Sequence, residues 1–167
     1  MNYEMVTLRL LHIVFGVFWA GSAIFIAFIL QPRLRSLGPD IQARVMGALI
    51  PVMGPALIGS AAITIAAGMT LALRLKWGNL DTFLDHPWGW AILIGFVVSI
   101  GAFTTGVTTM VLANRMLRLG SAIRERTPTP EEAAWMQRVA LRLPRLGRAT
   151  AVMVIIAIGT MASARFV

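Results

Sequence analysis

The sequence predicts an all-α integral membrane fold, four helices crossing the bilayer as an antiparallel bundle with both termini outside. Three observations carry this expectation. Four continuous apolar stretches, at about residues 8–30, 51–75, 88–113 and 144–164, each match the ~20 residues that cross a ~30 Å hydrocarbon core at about 1.5 Å per residue. Of the 167 residues, 57% are hydrophobic and 13% charged, against roughly 25% charged in a soluble domain. Eleven of the fifteen Lys and Arg residues lie in or against two segments, 31–50 and 114–143. The apolar runs are continuous, whereas spanning strands alternate in polarity, and helices satisfy their own backbone in lipid. Little chain remains outside the spans, so a single transmembrane domain is expected.

The first span follows Met1 to Arg9, which lacks the basic start of a secretory signal, and it is too long for a signal-peptide core. It is therefore expected to be retained. Residues 39–49 read as a short cytoplasmic helix with Asp40 near its start, closed by Pro51 at the head of the second span. Trp77, before the third span, and Trp88 and Trp90 at its start suit an aromatic belt at the outer interface. Thr104, Thr105, Thr108 and Thr109 add a hydroxyl stripe to the third span, where each can bond its own helix or a neighbour. The segment Thr127-Pro128-Thr129-Pro130-Glu131-Glu132 combines an N-cap, a first-turn proline and two acids at the positive end of a helix dipole. It predicts a short interfacial helix over about 130–143, with Pro144 opening the fourth span.

Orientation follows from the cations. Arg33, Arg35, Arg44, Arg115, Arg118, Arg124, Arg126, Arg138, Arg142, Arg145 and Arg148 mark one side, leaving Arg9, Arg74, Lys76 and Arg165 on the other. The positive-inside rule puts the arginine-rich side in the cytoplasm and both termini outside, as expected for a multi-pass protein of the inner (cytoplasmic) membrane. The net charge of +8 then records topology and attraction to anionic headgroups of the bilayer, and no nucleic-acid partner is expected. Cysteine is absent, which removes disulfides, thiolate metal sites and redox thiols. No glycine-rich phosphate loop, zinc-protease helix or nucleophile elbow occurs. No Asp or Glu lies well inside a span, so the usual relay of an ion-coupled pump is missing.

The candidate site centres on the two histidines. His12 lies within the first span, where an imidazole needs a partner. On a helix, Arg9, His12, Phe15, Gly16, Trp19 and Ala23 share one face at spacings of three and four. That face offers a nitrogen ligand, a cation towards water, room beside a glycine and an aromatic wall, the groups a haem uses for its iron, propionates and ring. Arg74 is a second cation at the same end. His86, in Asp85-His86-Pro87-Trp88, opens the third span on the same outer side, so an antiparallel bundle allows both imidazoles to meet one metal. Met69, Met161 and Met5 also fall in or near the outer half, and a thioether is a soft ligand for copper or haem iron. The alternative for each is plain: packing for the methionines, an interfacial position for His86 and Arg9, and for His12 a hydrogen bond to a neighbouring helix.

The run Leu11-His12-Ile13, Trp19-Ala20-Gly21, Phe25, Phe28, Pro32-Arg33-Leu34 resembles the opening helix of small bacterial membrane proteins that include HemJ-type protoporphyrinogen oxidases and the CopD copper-resistance membrane domain. The resemblance runs loosely over four spans and is sharp in the first. A HemJ-type relationship implies haem b with the first-helix histidine as axial ligand, a role that falls on His12 alone. Such proteins open their third span on a His-x-Lys pattern; here the stretch reads His86-Pro87-Trp88, so the lysine is missing and the oxidase reaction is not carried over. A CopD relationship implies copper handling, with His12, His86 and Met69 as ligands. Three readings follow: a b-type haem protein passing electrons to or from a quinone or another redox partner, a copper-handling protein, and a cofactor-free accessory or scaffold subunit. Small residues on the helix faces make a homo-oligomer compatible with each.

Overall fold

A computed structural model describes residues 2–75, 82–123 and 126–166, without the side chain of Arg165. Lys76, Trp77 and Arg124, and the Arg165 side chain, used in the sequence reading, lie outside the described residues. All regular structure among the described residues is helical. Helix α1 (Tyr3–Phe25) runs through a π-helical segment (Ile26–Leu30) into α2 (Gln31–Ser36); α3 spans Pro39–Leu75, α4 Pro87–Ala122 and α5 Pro130–Ser163, with a final 3₁₀ turn at Ala164–Phe166.

The helices outrun the apolar stretches that seeded them. Tyr3–Ser36 and Pro130–Ser163 hold 34 residues each, α4 36 and α3 37, about 50–55 Å at 1.5 Å per residue. All four are long and apolar enough to cross a membrane. The segments expected as loops, 31–50 and 114–143, are therefore mostly helix. The separate short helices expected at 39–49 and 130–143 are the first turns of α3 and α5. Pro51, Pro55 and Pro144 all sit inside helices that continue through them. A helix-interior proline forfeits one i→i−4 bond and crowds the carbonyl behind it, at about 3 kcal/mol or more. Long spanning helices tolerate this because neighbouring groups satisfy the freed carbonyls. Pro51 and Pro55 are also four residues apart, so both defects fall on one face.

Local chemistry explains the ends. Asn2 caps α1, its side chain accepting from the Met5 amide at 3.4 Å. The π turn lies directly ahead of Pro32, whose ring would press on the Phe28 carbonyl in an ordinary α turn; the Gln31 amide instead reaches back to Ile26. At the α2–α3 corner Gly38 has φ +95°, the one positive φ among the described residues. Its amide closes α2 on Arg35 and its carbonyl accepts from Gln42 to start α3, a left-handed bridge that favours glycine. The expected cap at Thr129 is present as a reciprocal box: the Glu132 amide donates to Thr129 Oγ1 at 3.2 Å and the Thr129 amide to Glu132 Oε2 at 2.9 Å.

The main pairings are α4 with α5, α1 with α3, α3 with α4, and α1 with α5, a closed cycle that leaves α1 and α4 diagonal. At its centre Trp19 and Ala20 of α1, Ala61 of α3, Ala102 of α4 and Val154 of α5 form one buried cluster. Small residues dominate the interior, with Ala102 and Ala151 fully shielded, while Val17, Val97, Val111 and Ile158 point outward. A water-soluble protein inverts this pattern. In lipid the apolar effect does not draw helices together, so close backbone approach over small residues supplies the contact instead. Methionines fill the remaining gaps: a Cβ at Gly54 would meet Met110 Sδ at 2.5 Å, one at Gly95 would meet Met161 Cγ at 2.7 Å, and one at Gly101 would meet Met153 Sδ at 3.2 Å. A flexible thioether conforms to such hollows.

Candidate functional site

His12 reaches across from α1 to α3. Its Nδ1 lies 2.8 Å from the backbone carbonyl of Thr64. A carbonyl oxygen can only accept, so Nδ1 carries the proton, and in the neutral ring Nε2 keeps its lone pair. The seat for the ring is made by glycine: a Cβ at Gly68 would come within 2.7 Å of both Cε1 and Nδ1 of His12. Gly16, one turn along α1, lies over Thr64, with a Cβ there 3.3 Å from Thr64 Cγ2. The Thr64 hydroxyl turns away to Ser60 of its own helix at 2.7 Å, and Ser60 to Ala56 at 2.7 Å, so the Thr64 carbonyl is the group α3 presents to the imidazole.

The other expected site residues disperse. His86 is exposed and stands at the N-cap of α4 without a side-chain capping bond. It lines an open groove of about 510 Å³ with Asp85, Trp90, Ile94, Thr160 and Ser163, between α4 and the end of α5. His12 instead faces α3, so the two imidazoles have different neighbours. Arg74 pairs with Glu4 at 2.8 Å, both about half exposed. Arg9 is exposed, Trp19 is buried in the central cluster, and Met69 is half exposed on α3. Met161 packs over Gly95. Among the described residues no group of three His, Asp or Glu side chains is placed to hold a metal. What the fold assembles is one imidazole with its hydrogen-bonding carbonyl, Gly68 that admits the ring and Gly16 that lets Thr64 lie close to α1.

Thr64 escapes sequence reasoning because any helix carbonyl can accept. Its neighbourhood does leave a trace: Ser60, Thr64 and Gly68 recur every fourth residue, the small-residue spacing of a close helix contact. Gly89 is a second position of this kind. A Cβ there would run into the Phe83 carbonyl, and the Phe83 ring packs edge-on against Trp88 with centroids 5.4 Å apart, so the segment before α4 folds down onto its first turn.

At the arginine-rich end, Arg126 grips Glu132 through two bonds of 2.7 and 2.8 Å. That guanidinium, with the Thr129 amide, holds the Glu132 carboxyl at about 2, below its ordinary 4.5. Arg115 of α4 lies 5.0 Å above the Trp135 ring of α5, a cation–π contact across the hairpin.

No family model matches the chain, and neither a curated protein nor a solved structure matches it.

Proposed function

We propose that this chain is a multi-pass protein of the bacterial inner membrane, an antiparallel bundle of four spanning helices with both termini outside, which holds a b-type haem through His12 in a redox, electron-transfer role. The carrying observation is the 2.8 Å bond from His12 Nδ1–H to the Thr64 carbonyl. Imidazoles that ligate metals nearly always donate their other N–H to a carbonyl or carboxylate, which fixes the tautomer and strengthens the ligating nitrogen. The donor set fits one axial imidazole: Nε2 keeps a lone pair, inside an apolar span, in a chain whose first helix resembles that of haem-binding proteins. His86 is not part of that set, because its groove faces Thr160 and Ser163. When bound, a haem supplies a one-electron couple whose potential depends on its axial ligand, hydrogen bonding and burial. Arginines at Arg33, Arg35, Arg44, Arg115, Arg118, Arg138, Arg142, Arg145 and Arg148 support the orientation with that end in the cytoplasm.

A second reading is favoured by the tight seat at Gly68. There the imidazole acts as a fastener between α1 and α3, the protein is a cofactor-free accessory subunit, and the hydrogen bond is its own purpose. One preparation separates the readings. Protein purified from membranes is expected to be red with a sharp Soret band, lost in His12→Ala and retained in His86→Ala. A colourless protein that holds copper by metal analysis moves the reading to copper handling. A colourless, metal-free protein in which His12→Ala lowers only the melting temperature leaves the fastener.

A further inference from the structure

Beside the arginine-rich end, a hollow of about 500 Å³ is lined by Arg35 of α2 and by Gln137, Ala140, Leu141, Pro144, Arg145 and Arg148 of α5. Three arginines thus line one space. None of them makes an ion pair among the described residues. The described acids are engaged or elsewhere: Glu4 pairs with Arg74 and Glu132 with Arg126, Asp85 lines the groove at the opposite end, and neither Asp40 nor Glu131 lines this hollow. Like charges held together without a counter-charge among the described residues leave a demand for an anion, and guanidinium forks match the oxygens of a phosphate two at a time.

Two further features select the kind of anion. One wall is apolar, made by Ala140, Pro144 and a Leu141 that is 64% exposed, which suits the glycerol and upper acyl carbons next to a headgroup. The level is also right. Arg35 follows the first apolar span by five residues, and Arg145 and Arg148 stand just inside the start of the fourth at about 144, which puts the hollow at the level where hydrocarbon gives way to headgroups. Gln31, at the head of α2, abuts Gly147 of α5, with 3.8 Å between its Oε1 and a Cβ placed there, which ties together the two elements that supply the charges. We propose that this hollow is a binding site for the phosphodiester headgroup of an anionic phospholipid, held by Arg35, Arg145 and Arg148 with its upper acyl carbons on Leu141 and Pro144. Basic hollows between spanning helices on the cytoplasmic side take such headgroups. The site is independent of what His12 holds.

The test uses the full chain in detergent, titrated with phosphatidylglycerol or with phosphatidylcholine of the same acyl chains, and counts retained lipid by native mass spectrometry. Wild type is expected to prefer phosphatidylglycerol by at least about tenfold. The R35Q/R145Q/R148Q variant is expected to lose that preference, whereas R44Q/R118Q/R138Q, which removes the same charge from the same end, stays within about threefold of wild type. R145K, which keeps the charge but not the fork, is expected to fall between. Should the groove triple aggregate, R35Q alone, at an exposed position, is expected to weaken retention several-fold. Equal loss in both triples would reduce the site to diffuse surface charge. Unchanged retention in the groove triple overturns the proposal, and so does displacement of the lipid by equimolar inorganic phosphate, which would mark a soluble phosphate ligand.

Discussion

The α1–α3 seam around His12 and the hairpin that joins α4 to α5 are fastened by opposite means. Along the spans nearly every hydroxyl bonds its own helix: Ser60 to Ala56, Thr64 to Ser60, Thr70 to Ala66, Ser99 to Gly95, Thr104 to Ile100, Thr108 to Thr104 and Thr109 to Thr105. Within the apolar stretches the described side-chain bonds between helices include His12 to Thr64 and Thr105 Oγ1 to Thr150 Oγ1 at 2.9 Å, and the Glu4–Arg74 ion pair joins α1 to α3 only at their exposed outer ends. At the hairpin charge enters instead: the Arg126 fork on Glu132 ties the connecting segment to the capping box at Thr129, and Arg115 of α4 lies over Trp135 of α5. The solvent explains the contrast. Where water is absent, a polar group is safest satisfied within its own helix and helices meet over small residues; where water competes, contacts between elements need charge and geometry together.

The strongest way to break the contrast is to fill the seat at Gly68. Gly68→Leu puts a side chain where the His12 ring lies, so it is expected to expel the ring and cost about 3 kcal/mol, the upper range for overpacking, read by denaturant titration in micelles. Loss of stability no larger than that of Gly159→Leu, at a glycine with open space around it, would show that the seam does not depend on this seat. At the hairpin, Thr129→Ala removes the N-cap and is expected to cost about 1 kcal/mol, with the loss confined to local hydrogen-exchange protection around 127–135. The same cap is acid-sensitive. Because the folded Glu132 carboxyl titrates at about 2 instead of 4.5, its contribution is complete above about pH 4.5 and is lost as pH falls towards 2. The melting-temperature difference between wild type and Glu132→Gln is therefore expected to shrink over that window and vanish below it. The smallest effect belongs to the Thr105–Thr150 bond. Thr105→Val preserves shape and removes one hydroxyl, with an expected cost near 0.6 kcal/mol, the average for an interhelical bond in a membrane protein.

The spans were legible because hydrocarbon imposes a length and a composition that four stretches of this chain meet. The cap at Thr129 was legible because it is local, three residues wide, and its partners are adjacent in sequence. Helix continuity through Pro51 and Pro144 was not, since local rules end a helix at proline and the groups that make continuation tolerable come from elsewhere in the fold. His12 was legible as a residue that needs a partner, but the partner was not, because a backbone carbonyl has no letter in the sequence. That His12 and His86 could meet rests, in the sequence, on shared depth alone. Depth fixes one coordinate and leaves the angle about the helix axis open, and the angle sends His12 to α3 and His86 towards Thr160.

The five residues of wider turn at Ile26–Leu30 amount to one residue more than a regular helix would use to cover the same rise. Each residue advances a helix by about 100°, so this surplus sets the azimuth of everything downstream without touching the seam upstream. It turns Leu34 to the inside, where it is 6% exposed, and brings Arg35 round to the side of α5. A one-residue deletion there would leave His12 where it is and swing α2 by more than a quarter turn. The two ends of the first helix can thus be indexed separately, by insertion or deletion at a single joint.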